Sequence, residues 1–212
     1  MMNSIQPNQY FAIKKHVQHL INTYHSVNDQ ETIQTIQAVT LEKIDQLVPE
    51  ANPVIADLKK FILDQTLTRA KTEAYFETVK ENVAPFQQPS NKQVEKTFRK
   101  VKKLKLPAWD TLDLREHSYV GWNDPGSQKK FILYYREGKL HSLSGQLSPT
   151  IIKNVCTLCQ KVSSVSMFLA TTKSSGDGTY TKKGNYLCAD SEQCNRQLHD
   201  MEHFYKFVDQ MK

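Results

Sequence analysis

Apolar residues recur every three or four positions through the first part of the chain, and then the rhythm changes. From Gln9 to His25, the residues Tyr10, Ile13, Val17, Leu20 and Tyr24 share one helical face. Asn28 or Asp29 is placed to cap a second helix carrying Ile33, Ile36, Val39, Ile44, Leu47 and Val48, which Pro49 closes. Asn52-Pro53 is a start signal, with proline in the first turn of a third helix that shows Leu58, Phe61 and Ile62. A fourth runs from about Thr68, with Ala70, Tyr75, Phe76 and Val79. No glycine precedes Gly121. The pattern predicts an antiparallel helical bundle over residues 1–84, with short connections.

The stretch Ala84-Pro85-Phe86-Gln87-Gln88-Pro89-Ser90 breaks the pattern, because each proline biases its predecessor away from helix. It marks the boundary with a second domain over 85–212. Ser90 and Gln93 have capping-box spacing. They open a predicted helix over 91–105, with Val94, Phe98, Val101 and Leu104 on one side and lysines on the other, ended by Pro107. Short strands are then predicted at Tyr119–Trp122, Phe131–Tyr135 and Leu140–Gly145, with turns at Asn123-Asp124-Pro125-Gly126 and Glu137-Gly138. Two more fall between Met167 and Leu187, joined by a Gly-rich turn that Asp177 helps to shape. Residues from about Cys194 to Met211 read as helix again. The expected fold is α+β: a helical bundle, then an α/β domain whose zinc lobe covers about 150–212.

Composition adds little to the fold but narrows the function. No run reaches the roughly 18–20 apolar residues of a membrane span, and the first ten residues lack an apolar signal core. A cytoplasmic, reducing location follows as an expectation, which disfavours disulfides. The net charge of +6 is concentrated: Lys92, Lys96, Arg99, Lys100, Lys102, Lys103 and Lys105 face Glu95 alone. Such a basic face attracts RNA or an acidic protein surface, or is simply a solvated flank. No nucleophile with a base, phosphate loop or paired acidic site is present, so the chain reads as a binder rather than an enzyme.

The chemistry lies in four cysteines. Cys156-Thr-Leu-Cys159 is followed, after a hairpin, by Cys188 and Cys194. A Cys-x-x-Cys turn puts two thiolates on one side of a tetrahedral ion, and the second pair comes from elsewhere in the fold. Cys194 stands near a helix start, where the dipole favours a thiolate. A knuckle, a hairpin and a helix N-terminus make a treble-clef arrangement for one structural zinc, with no open position for catalysis. His199 and His203, four apart on the last helix, are read as ordinary residues beside four better ligands. Phe204, Tyr205 and Phe207 crowd that helix, and at least one is expected at the surface.

Several segments carry a specific resemblance. Cys156-Thr-Leu-Cys159, Lys182 through Cys188, Asp190-Ser191, Cys194-Asn195 and Phe204-Tyr205-Lys206-Phe207 are similar to the FusB/FusC-type fusidic acid resistance proteins, as are Phe98 through Lys105 and Tyr119-Val120-Gly121-Trp122-Asn123. The likeness spans nearly the whole chain, from Pro7 onward, and is strongest toward FusC. It implies binding to elongation factor G through the zinc domain and release of that factor from ribosomes on which the drug has stalled it. It implies a monomer that meets the ribosome indirectly, with no membrane and no small-molecule substrate. The family's contact positions correspond to Lys183, Tyr186 and Phe207, and to Val155 where the family carries an aromatic. The alternative is a zinc-dependent RNA binder acting through residues 91–105.

Overall fold

The computed structural model describes residues 4–49, 51–99, 101–173 and 180–211, with backbone only at 171–173 and 180–181. The chain divides into two units, Met1–Pro85 and Phe86–Lys212.

The first unit contains α1 (Pro7–Ser26), α2 (Gln30–Leu47), α3 (Pro53–Phe61) and α4 (Arg69–Lys80). Their starts are chemical. Asp29 accepts from the Thr32 amide, Asn52 from those of Val54 and Ile55, and Thr68 from that of Lys71; each cap contributes about 1 kcal/mol. The apolar stripes close on one core that includes Ile13, Val17, Leu20, Ile44, Leu58 and Phe76. The Tyr10 hydroxyl donates to the Phe76 carbonyl at 3.2 Å, so the one polar atom of that buried ring is satisfied. Ile5 bridges Val83, and the Ala84 amide donates to the Ile5 carbonyl at 2.9 Å, which ties the ends of the unit together.

The second unit is built on an antiparallel sheet of β1 (Val120–Asp124), β2 (Lys129–Arg136), β3 (Lys139–Val155), β4 (Val162–Lys173) and β5 (Tyr180–Cys188), in that order among the described residues. Strand alternation in β2 sorts its side chains between two cores. Phe131 and Leu133 join Phe86, Val94 and Phe98 on one face. Ile132 and Tyr134 join the four cysteines, Phe168, Phe204 and Phe207 on the other. With both faces covered, β2 reads as the nearly continuous apolar run Phe131–Tyr135.

Three expectations need correction. The basic helix ends early: α5 covers Asn91–Thr97, with Phe98 leaving helical geometry and Lys103 at φ 53°. Lys96, Arg99 and Lys103 would stack like charges at helical spacing, each pair costing about 0.2–0.5 kcal/mol. The turn beyond Phe98 instead half-buries Val101 and Leu104 against the first core. Lys100 lies outside the described residues.

The second correction is to β3, which runs for 17 residues rather than ending near Gly145. A register shift between Leu147 and Ile151 carries it past Pro149, as a bulge permits. The turn containing Asp177 lies outside the described residues.

Third, the last helix is two helices, α6 (Ser191–Gln197) and α7 (Met201–Gln210), started by Asp190 and Asp200. His199 therefore precedes α7 and shares no helical face with His203. On α7 and its C-cap, Phe204, Phe207, Val208 and Met211 form an apolar stripe that is buried throughout. Tyr205 is half-buried, its hydroxyl donating to the Tyr135 carbonyl at 3.3 Å and its ring under Arg136. None of the three aromatics is left as a free surface anchor.

Candidate metal centre and the strand edge beside it

Cys156 and Cys159 sit in the knuckle that joins β3 to β4. The Cys156 amide donates to the Lys161 carbonyl and the Gln160 amide to the Cys156 carbonyl, each at 2.9 Å, with Gln160 at φ 56° closing the turn. Cys188 ends β5. Cys194 lies in the first turn of α6, a helix that approaches β1 at Gly121. A Cβ on Gly121 would stand 2.5 Å from the Ser191 hydroxyl oxygen, so the close approach needs glycine there.

These elements bring four buried sulfurs within 4.8 Å of one another. The Sγ atoms of Cys156 and Cys194, and those of Cys159 and Cys188, are 3.8 Å apart. A zinc tetrahedron with Zn–S near 2.3 Å has edges of about 3.8 Å. A disulfide needs about 2.05 Å, and all four cysteines are free. The donor set and spacing thus fit zinc, which when bound would cross-link knuckle, strand and helix.

The crowded thiols share their protons unequally, with Cys156 and Cys188 pulled toward thiolate and Cys159 and Cys194 pushed away from it. The Cys188 amide donates to the Cys156 sulfur at 3.3 Å. Hydrogen bonds from Cys159, Cys188 and Cys194 pull the Cys156 thiol strongly down, toward thiolate. Cys194 is pushed well up, because it is left as a donor to Cys156 among crowded sulfurs. The Tyr119 hydroxyl is buried without a hydrogen bond of good geometry; burial and then the neighbouring Cys194 push it well up. A hydroxyl orphaned beside thiols has an acceptor when those thiols are thiolates.

The residues expected to meet a partner are distributed unevenly. Val155 is 46% exposed and pairs across the strands with Val162 at 69%. Lys183 is exposed on β5, its ammonium donating to the Gln210 carbonyl at 2.7 Å, where the C-terminal end of α7 favours a cation. Tyr186 is half-buried on the same strand, and its carbonyl accepts from the Thr157 amide at 2.9 Å. Alternation puts Lys183 and Tyr186 on opposite faces of β5, an edge strand of the sheet among the described residues. Phe207 is only 1% exposed and packs near Phe168. It underlies this edge and is not presented at it.

Sequence reasoning missed two buried polar residues of the site. Asn195 holds α6 against β1 with a fully satisfied amide. Lys130 is fully buried on the cysteine side of β2. A lysine directly before the run Phe131-Ile132-Leu133, in phase with Ile132 and Tyr134, was the available signal.

Residues 4–87 match the model for the N-terminal part of elongation factor G-binding proteins, and residues 92–206 match the C-terminal treble-clef zinc finger of the same family. The chain belongs to the elongation factor G-binding protein family. A solved structure of the fusidic acid resistance protein FusC is 36% identical, with a TM-score of 0.91 over 100% of this chain and 99% of that one. No curated protein matches. The treble clef of the elongation factor G-binding family is thus the zinc-binding site formed here by the cysteine cluster. No helix among the described residues is long and apolar enough to cross a membrane.

Proposed function

We propose that this protein binds elongation factor G along the β5 edge of its zinc lobe and, by doing so, frees the factor from ribosomes stalled by fusidic acid. Membership of the family over both units carries this reading. Lys183 and Tyr186 supply a cation and an aromatic on the edge strand, and the Val155–Val162 pair supplies exposed apolar surface beside the knuckle. Phe207 serves as the support beneath. One structural zinc held by Cys156, Cys159, Cys188 and Cys194 fixes the edge.

The protein acts by binding, as a monomer, without modifying the drug. Only a difference in affinity between two conformations of the factor shifts it off the ribosome. Lys183 would pair with acidic groups on the factor, and Tyr186 and the valine pair would fill apolar pockets there. The RNA-binding alternative rested on a continuous basic helix over 91–105. That helix stops at Thr97, leaving Lys102, Lys103 and Lys105 on an irregular segment.

The test is size-exclusion chromatography of zinc-loaded protein with purified elongation factor G, at moderate salt and without nucleic acid. Co-elution supports the reading. Separate elution, combined with steeply salt-dependent RNA binding, would transfer the function to the basic segment.

A further inference from the structure

We propose that Lys130 is the built-in counter-charge of the metal centre, a buried ammonium that forms no salt bridge with a carboxylate among the described residues. Lys130 is 0% exposed. Its Nζ donates to the Asn123 Oδ1 at 3.1 Å and to the Ala189 carbonyl at 3.3 Å, both neutral acceptors. No carboxylate stands within ion-pair distance of it among the described residues. A buried charge without an opposite charge is strongly disfavoured, so its counter-ion must be sought nearby.

The cysteine centre supplies one. Lys130 projects from the same face of β2 as Ile132 and Tyr134, into the core that contains all four cysteines. Ala189, which accepts its hydrogen bond, directly follows Cys188. Burial lowers the ammonium pKa, and the charges of Cys194, Cys188 and Cys156, followed by that of Asp190, oppose that lowering. A dication held by four thiolates carries a net charge of about −2. The ammonium therefore faces a concentrated anion when the centre is loaded, and only the more distant Asp190 carboxylate when four neutral thiols are empty. It favours the loaded state. Lys130 is in this sense a positioning residue, acting on the ligands rather than on the ion.

The test uses the full zinc-loaded chain and follows zinc transfer to a chromogenic chelator, with affinity taken from chelator competition. Lys130→Met keeps the length and removes the charge; it is expected to weaken zinc binding about 10- to 100-fold, the usual effect of losing a ligand's supporting partner. Asn123→Asp places a carboxylate against the ammonium and is expected to weaken binding in the same direction. Asn123→Ala, which removes both hydrogen bonds of that side chain without adding charge, is expected to stay close to the parent. Asn123 is exposed, so the comparison of its two variants decides the matter even if Lys130→Met does not fold. Unchanged zinc affinity in Asn123→Asp, or in Lys130→Met with only a lower Tm, would overturn the proposal and make Lys130 a packing residue.

Discussion

The side-chain amide of Asn195 and the backbone of Tyr119 exchange hydrogen bonds in both directions. Oδ1 accepts from the Tyr119 amide at 3.3 Å, and Nδ2 donates to the Tyr119 carbonyl at 3.0 Å. The same oxygen takes the Ser118 amide at 2.8 Å, and the same nitrogen reaches the Ser191 carbonyl at 2.9 Å. One buried side chain thus fastens the helix of Cys194 to the start of β1. Asn195→Leu keeps the volume but orphans these backbone groups, at about 1–3 kcal/mol for each buried group left without a partner. Thermal unfolding of the second unit is expected to fall by several degrees. An unchanged Tm would show that α6 is held in some other way.

Gly121 makes the complementary case by shape. Gly121→Ala drives a methyl into Ser191 and the Tyr119 ring, at 2.5 and 2.9 Å. Either β1 or α6 must shift, at a cost of about 1–3 kcal/mol. Because α6 carries Cys194, zinc is expected to leave this variant faster in chelator competition, while the α1–α4 unit keeps its stability.

Removal of zinc should act on one unit alone. Metal binding contributes on the order of 10–16 kcal/mol to a structural zinc fold, and the four ligands here span knuckle, strand and helix. A strong chelator is expected to melt the second unit and leave the helical signal of α1–α4. NMR spectra of metal-free protein with unchanged C-terminal resonances would contradict this. Cys188→Ser is expected to mimic the chelator.

The sequence announced those features whose cause is local. Asp29, Asn52, Thr68 and Ser90 mark helix starts because a cap needs only its own turn. The cysteine spacing announced the metal centre for the same reason. What escaped depends on distant partners. The length of β3 is set by pairing with β4 across a bulge at Pro149, which local propensity opposes. The basic stripe resembled a helix by period, yet its like charges and the half-buried Val101 and Leu104 unwind it after Thr97. The burial of Lys130 and Asn195 follows from what lies across the sheet, and no window of neighbouring residues reveals that.

Phe207 and Lys183 separate support from contact. Phe207→Ala empties a fully buried ring position, expected to cost about 3–5 kcal/mol. Any loss of factor binding should then accompany a lower Tm. Lys183→Ala removes an exposed cation with one hydrogen bond to the end of α7. It is expected to weaken factor binding with little change in Tm, as is Val155→Asp. Full binding by both Lys183→Ala and Val155→Asp, measured by calorimetry at moderate salt, would remove the β5 edge from consideration.

The bond from the Thr157 amide to the Tyr186 carbonyl has a physiological side. Thr157 stands between two of the candidate ligands, and Tyr186 two residues before a third, so on the proposed function the strand offered to a partner would depend on the ion for its shape. On that reading, a host cell starved of zinc would still make the polypeptide and would be expected to fold its first unit. It would lose the protein's usefulness without losing the protein, and the drug's potency would then track the metal economy of the medium.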